Sequence, residues 1–264
     1  MTTGGAGDTA GANGGGGRAV CVYAIVPADV EPEERAAGIG EPPSAVTVVR
    51  YGDIAALVSD IPERPLGTPQ DLTAHSELLD GAAAVTPVLP LRFGAVMSDV
   101  ESVERELLRP NHDEFRAALA ELEGRAQFVV KGRYVEEAVL RELLDENPEA
   151  ARLREQLRGA PEETTRDARM TLGEIIYRSI TDKRAVDTRR AVDALAAVRP
   201  VVAERPPTHD QDAVHLAVLI DLSRRGELEE ALSGLAEQWD GRIRLSLLGP
   251  MAAYDFVMKR EPEG

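Results

Sequence analysis

The stretch AVHLAVLID, residues 213–221, is a continuous apolar run that predicts a central β-strand buried on both faces. The residues after it predict a helix that begins at Gly226 and buries one face at helical spacing. A further strand follows, in which Ile243, Leu245 and Leu247 lie on one face and polar residues alternate on the other. The end of the chain therefore predicts a strand-helix-strand unit.

Upstream of this unit the pattern predicts more helices and strands. We expect a strand at residues 126–131, a helix at 135–146 and a charged loop at 152–167. A long helix at 166–195 and a second strand at 198–204 should follow. Pro200 lies inside the last of these and indicates an edge strand, because proline cannot donate to a sheet ladder. The whole second half then reads strand-helix-strand-strand-helix-strand with a helical insertion, which is the ferredoxin-like, or split βαβ, order.

The first half has similar patterns. The run Val20–Val26 predicts a buried strand, and two more strands around Gly52 predict a hairpin. We also expect a helix over 70–84 and a strand with an irregular start over 86–96, followed by further helices after Ser98. This half follows the same plan if residues 31–40 supply a short first helix. We therefore expect an α+β fold of two tandem domains with ferredoxin-like character, the second with a helical insertion.

Composition defines three segments. Residues 1–17 contain almost no large side chain and predict a disordered Gly-rich tail, because such a segment cannot bury enough surface to offset its ordering entropy. We expect an N-terminal α+β domain over 18–124 and a C-terminal α+β domain over 125–264, which contains the helical insertion.

The charge and the single cysteine exclude several classes of protein. A formal net charge of -16 argues against binding to nucleic acid or to anionic lipid, both of which require clustered Lys and Arg. Cys21 is the one cysteine and lies in an apolar run, so a buried structural thiol is expected. No stretch has the length of a membrane-spanning helix and no signal peptide is recognisable, so we expect a cytoplasmic protein.

The histidines are the best candidates for chemistry. His209 and His215 lie close together in a stretch with two aspartates, but their spacing matches no metal-site family, so we expect no metal. His75 on a predicted helix could act as a general base, although a partly buried structural histidine is the simpler interpretation. No hydrolase, zincin or phosphate-loop motif is present, and we expect neither catalytic residues nor a cofactor.

Two apolar stretches differ from ordinary core. The first is VLPLRFG, residues 88–94, in which a buried Arg92 would need a partner for its charge. The second is LLGPMAAYDFV, residues 247–257, in which a strand should end in a Gly-Pro turn and a short aromatic strand should follow. Both stretches could be merely structural. As candidate protein-contact residues we take Leu91, Arg92, Phe93, Pro200, Tyr254 and Phe256.

These stretches occur in a characteristic order. The chain contains VYAIV near its start, VRYGDIAALVSDIP, HSELL, VLPLRFG, FVVKG and finally LLGPMAAYDFV. In this order the motifs resemble the gas vesicle protein L/F family over about residues 20–257. The chain departs from the family pattern at Met251-Ala252-Ala253, where prolines are frequent.

The resemblance implies a two-domain α+β protein without catalytic residues. It implies an accessory protein of the gas vesicle, either a minor structural component or an assembly factor, in the cytoplasm. The implied partners are the main gas vesicle shell protein, which is small and very hydrophobic, and other gas vesicle accessory proteins, with no nucleic acid and no membrane. Two alternatives stay open: a haem enzyme on tandem ferredoxin-like domains, with His75 or His215 as the iron ligand, and a small-molecule sensing module.

Overall fold

The computed structural model describes residues 18–32, 36–161 and 165–257. The chain divides into two units: the first comprises the described residues up to Leu78 together with Leu91–Arg116, and the second comprises Leu79–Pro90 with the described residues from Ala117 onward. Helices and antiparallel strands are mixed throughout, as the sequence predicts. The predicted tail over 1–17 lies outside the described residues, and the boundary expected near residue 124 stays a prediction.

The first part of the chain alternates short strands with helices. β1 and β3 pair antiparallel, β2 pairs with the other edge of β3, and β5 pairs with β1. The side chains of β1 are almost all buried. In chain order the elements are β1 (Val20–Pro27), β2 (Thr47–Tyr51), β3 (Ile54–Asp60), α1 (Pro69–Ala83), β4 (Leu89–Pro90), β5 (Val96–Met97), α2 (Val100–Ser102) with a π-helical continuation (Val103–Leu108), and α3 (His112–Leu122).

Local signals in the sequence explain how β3 and α1 begin. The predicted hairpin is confirmed, and its turn uses Gly52 at φ 61°, a backbone conformation that glycine adopts without strain. At the start of α1, the Thr68 hydroxyl accepts from the Asp71 amide at 3.2 Å and the Asp71 carboxylate accepts from the Thr68 amide at 3.1 Å. This reciprocal capping box, with Pro69 as the first helical residue, fixes the N-terminus of α1.

In the first half, one condition is not met among the described residues and one prediction is wrong. The described residues of 31–40 form no helix, and Ala37 instead bridges to Ala45. The segment 86–96 is not one strand, since β4 and β5 have only two residues each. Pro87 and Pro90 explain this difference, because a residue without an N–H group cannot extend a ladder.

The second unit contains a four-stranded antiparallel sheet. Its strand order is β7-β8-β6-β9, so β8 is central, as its apolar run predicts. The predicted long helix is confirmed as α6. The elements are β6 (Arg125–Tyr134), α4 (Glu136–Glu146), α5 (Pro148–Leu157), α6 (Arg166–Leu195), a 3-10 turn (Ala196–Val198), β7 (Val201–Glu204), β8 (Asp212–Asp221), a second 3-10 turn (Leu222–Arg224), α7 (Arg225–Gln238), β9 (Ile243–Met251) and α8 (Tyr254–Val257).

The core of the second unit is largely aliphatic. It packs one face of the sheet against α6 and α7, with Trp239 closing the end of α7. Burial of these side chains supplies the main favourable term in the folding of this unit. Among the described residues, no helix is both long enough and apolar enough to cross a membrane. Typical core residues are Phe128, Val130, Leu195, Leu216, Val218, Leu228 and Leu235.

Two further predictions are wrong. Residues 152–157 are not loop but the end of α5, whose N-terminus is capped by the Asn147 side chain and begins with Pro148. The C-terminal aromatic segment is not a strand: β9 continues through Gly249 and Pro250 to Met251, and the residues that follow form α8. The predicted edge strand begins only after Pro200, as β7.

Candidate protein-contact surfaces

The loop Leu91–Ala95 is fastened to β1 in the first unit. The Leu91 amide donates to the Tyr23 carbonyl at 2.9 Å, and the Val22 amide donates to the Ala95 carbonyl at 2.9 Å. Between these anchors the Ala95 amide closes a turn onto the Arg92 carbonyl at 3.2 Å, and Gly94 adopts φ 86°. Glycine is required here because this turn needs a positive φ at its third residue.

His75 lies between two aromatic rings of this unit. Its ring centroid is 5.5 Å from that of Tyr23 and 5.4 Å from that of Phe93, the latter in an edge arrangement. Burial lowers the pKa of His75, and a hydrogen bond with the Leu91 backbone only partly offsets this. His75 is therefore neutral at pH 7, and its ring packs against Phe93 of the loop.

Arg92 does not have the predicted environment. Its side chain is exposed, so the expectation of a buried guanidinium is wrong. The reason is its position at the start of the turn that Ala95 closes, where the chain runs over the surface. Leu91 and Phe93 on either side of it are half-buried.

Polar contacts hold α8 in the second unit. Gln127 on β6 donates to the Asp255 carboxylate at 2.6 Å and accepts from the Asp255 amide at 3.1 Å. The Arg205 guanidinium lies 3.4 Å from the other Asp255 oxygen. Just before α8, the Ala252 amide donates to the Asp80 carboxylate at 3.1 Å. These contacts fix the backbone of the segment and leave Tyr254 and Phe256 half-buried.

The Asp80 carboxylate affects the ionisation of Tyr254. Burial raises the pKa of Tyr254, and the nearby Asp80 carboxylate raises it further. Burial also raises the pKa of Asp80, although the hydrogen bond from the Ala252 amide opposes this. Tyr254 is consequently a neutral phenol at physiological pH, with an apolar ring suited to contact another protein.

Pro200 lies immediately before the edge strand β7. Arg199 ahead of it is the one described residue other than glycine with a positive φ, 52°. Beyond the strand, Arg205 makes its ion pair with Asp255, so the C-terminal end of β7 adjoins α8. The edge available for main-chain pairing is therefore short, four residues between Pro200 and Arg205.

An ion network around the buried Asp187 joins the helical insertion to the sheet. Asp187 on α6 is fully buried and accepts from the Tyr134 hydroxyl at 2.8 Å and from both terminal nitrogens of Arg242 at 2.9 Å. Glu142 on α4 accepts from Arg242 at 2.8 Å and from Lys183 at 2.7 Å. Burial alone would raise the pKa of Glu142, but these two cations outweigh it and lower the pKa.

The histidines do not form a metal site. Among the described residues, no group of three or more His, Cys, Asp or Glu side chains could hold a metal ion. His209 is exposed, whereas His215 is buried and its Nδ1 bonds to the Pro206 carbonyl at 2.8 Å. The Nε2 atoms of His75 and His215 are both closed off from solvent. Binding of a haem at either Nε2 atom would therefore require the surrounding side chains to move.

One groove in the second unit could hold a small molecule. It has a volume of about 570 Å³ and lies between α6 and the start of β8. Arg184 and Thr188 reach from α6 to the Asp212 and Ala213 carbonyls of β8, at 2.6 and 3.5 Å. Volumes of this size are typical of ligand pockets, so the groove is the place to test the sensing-module alternative.

The six candidate contact residues belong to two units. Leu91, Arg92 and Phe93 lie in the first, whereas Pro200, Tyr254 and Phe256 lie in the second. Sequence reasoning missed the polar residues that hold these segments, above all Gln127 and Asp80. Gln127 is the clearest omission, because alternation along β6 places it on the face away from the main core, yet it is buried.

Comparison with known proteins identifies the family. The model of the family described as gas vesicle synthesis protein GvpL/GvpF matches residues 19–258. The chain belongs to the GvpL/GvpF family. The matched range includes both stretches that carry the candidate contact residues, VLPLRFG and LLGPMAAYDFV.

Two relatives agree with this membership, and a solved structure has the same fold. The chain is similar to gas vesicle protein F of Streptomyces sp. (strain CB03234), with 32% identity over 85% of this chain and 92% of the relative. It is also similar to gas vesicle protein L of the same strain, with 30% identity over 89% of this chain and 91% of the relative. The crystal structure of GvpF from Anabaena sp. PCC7120 has the same fold, with a TM-score of 0.74, 22% identity and coverage of 91% and 98% of the two chains.

Proposed function

We propose that this GvpL/GvpF-family protein is a gas vesicle accessory protein, not an enzyme, that binds the hydrophobic main shell protein and supports nucleation and assembly of the vesicle. Family membership over residues 19–258 carries the proposal. The protein would act in the cytoplasm and at the gas vesicle, as a minor structural component or assembly factor, together with other accessory proteins.

Electrostatics favours contact through apolar groups and the main chain. The net charge of -16 keeps this chain soluble and gives it little attraction for acidic partners. A shell subunit with an apolar face and open strand edges is prone to aggregate before assembly. An acidic partner that covers such a face would delay misassembly while leaving ordered growth possible.

The C-terminal segment is the best candidate for this contact. Tyr254 and Phe256 are half-buried on a helix whose backbone is fixed by Gln127 and Asp80. Little conformational entropy is lost when such pre-organised aromatic side chains bind. The edge of β7 next to Pro200 is a second candidate, because a strand edge can capture a partner strand by main-chain hydrogen bonds.

Both units are proposed to have ferredoxin-like character. In the second unit, the order strand-helix-strand-strand-helix-strand and the sheet order β7-β8-β6-β9 support this proposal. The first unit would be a degenerate version, because the described residues of 31–40 supply no first helix.

The test is capture of the shell protein by the purified, tagged protein at low salt and at about 0.5 M salt, where exposed charges are strongly screened. The double variant Tyr254→Ala/Phe256→Ala should lose most of the capture. A matched control is Met170→Ala/Tyr177→Ala, which removes two exposed apolar side chains from α6. Circular dichroism must show that both variants are folded.

The outcomes separate the parts of the proposal. Capture that survives high salt and is lost only in the C-terminal variant supports apolar contact at α8. Capture that disappears at high salt contradicts the apolar mode, and full capture by a folded C-terminal variant moves the contact elsewhere. No capture by the folded wild-type protein under any condition contradicts the proposed function.

A further inference from the structure

The outer edge of β9 is the longest open strand edge in the second unit. β9 is last in the sheet order, and in the described part of the chain no strand pairs with its outer side. The opposite edge, β7, has only four residues and lies between Pro200 and Pro206. Prolines at strand ends are a common protection against unwanted pairing, and β9 has this protection at one end only, at Pro250.

The side chains of β9 are incompletely covered along this edge. Leu245 and Leu247 point to the core face but are only partly buried. On the other face Arg244, Ser246 and Leu248 are exposed. One more strand on this edge would cover the two core-facing leucines and pair the outward main-chain groups.

The geometry of β9 selects a centre for such pairing. The regular pairing of β9 with β6 runs from Ile243 to Leu248, because the register shifts between Gln127 and Val129 and Pro250 has no N–H group. Ile243 is buried, and the exposed or half-buried residues that remain, 244–248, have Ser246 at their midpoint. A second copy of β9, antiparallel and centred there, places Leu245 opposite Leu247 of the other copy.

This arrangement places no like charges directly opposite each other. Arg244 faces Leu248 of the other copy rather than another arginine, and Ser246 faces Ser246. We propose that two copies of this protein associate through their β9 edges, antiparallel and centred on Ser246, to form one continuous eight-stranded sheet. This association goes beyond the proposed binding of the shell protein and does not depend on it.

The association should be weak. Pairing of five residues on each side buries less than the roughly 1,200 Å² of a stable complex, so dissociation constants between about 10 µM and 1 mM are expected. Sedimentation velocity over that concentration range should show a reversible equilibrium between monomer and dimer. A purely monomeric protein up to about 1 mM would overturn the proposal.

Ser246 allows a sharp test, because the two-fold axis of the dimer places it opposite Ser246 of the other copy. Ser246→Glu and Ser246→Lys should each weaken the dimer about fivefold or more, since like charges then face each other. An equimolar mixture of the two variants should restore dimers, because Glu then faces Lys. Ser246→Glu should also fold normally, because its neighbour on β6 is Lys131.

Val201→Lys is the matched control, since it adds a charge at an exposed position of the other edge strand. It should leave the dimer unchanged. Two results would overturn the proposal: a dimer that Ser246→Glu and Ser246→Lys leave intact, or a mixture of the two that stays as monomeric as each variant alone. A dimer broken only by Val201→Lys would place the interface at β7 and would also overturn it.

Discussion

Asp187 shows how strongly one residue can constrain the second unit. Its fully buried carboxylate depends on Arg242 and on the Tyr134 hydroxyl. Arg242→Ala would leave that charge without its main partner, and we expect the free energy of unfolding to fall by about 3 kcal/mol or more. Urea denaturation measures the loss. Arg244→Ala, two residues further along and exposed, should change stability by less than about 0.5 kcal/mol, and equal losses in both variants would contradict this account.

Asp71 gives the first unit a dependence on pH. Its buried carboxylate accepts two hydrogen bonds from the Arg64 guanidinium, which hold the pKa of Asp71 well below its ordinary value. The pKa of Asp71 is lower in the folded protein than in the unfolded chain, where it is about 3.9, so ionised Asp71 stabilises the folded state above about pH 3.9. This contribution is lost as the pH falls below that value. Asp71→Asn should therefore cost about 2 kcal/mol at pH 7 and clearly less at about pH 3. Urea midpoints at the two pH values test this, and an unchanged difference would argue against it.

At the scale of elements, Gly249 allows β9 to pass close to β6. A Cβ atom at this position would lie 2.9 Å from the Gln127 carbonyl oxygen, and its φ is 125°. We expect Gly249→Ala to destabilise the protein by about 2 kcal/mol, because both the contact and the backbone conformation oppose a side chain. Gly173→Ala is the control, since a Cβ there meets nothing within 4 Å on α6. It should stabilise the protein by up to about 1 kcal/mol in thermal unfolding, and the opposite ranking would contradict this interpretation.

Periodicity predicted the long elements well and the short ones poorly. α6 and β8 were readable because their patterns extend over many residues, so that chance matches are few. The short helix α8 was predicted as a strand because its four residues are too few to show a period. α5 was missed although Asn147-Pro148 is a readable start signal, because its charged residues resemble a loop.

The side-chain environments of the candidate site were less predictable than its location. Both segments, VLPLRFG and LLGPMAAYDFV, were selected from sequence, but Arg92 is exposed and not buried. The partners that fix α8 come from positions far away in sequence, for example Gln127 opposite Asp255. A single sequence without tertiary information gives no sign of such pairs.

For the whole molecule, the charge of -16 is a source of self-repulsion. Salt screens exposed charges, so raising the ionic strength from about 0.01 M to about 0.15 M should raise the melting temperature by a few degrees. Differential scanning calorimetry can measure this. Arg242→Ala should show the same salt response, because salt screens the ion network around Asp187 much less than it screens exposed charges. A melting temperature that falls as salt is added would contradict the prediction.

The chain contains one tryptophan and one cysteine, and each lies in a different unit. Trp239 is buried in the core of the second unit, so its fluorescence reports the unfolding of that unit. Cys21 is buried in β1, and burial, together with the Asp71 charge, raises the pKa of its thiol to about 11. A thiol reagent therefore reacts with Cys21 only as the first unit opens. The unmodified protein thus contains a chemical reporter for the unfolding of the first unit, Cys21, and an optical reporter for the unfolding of the second unit, Trp239.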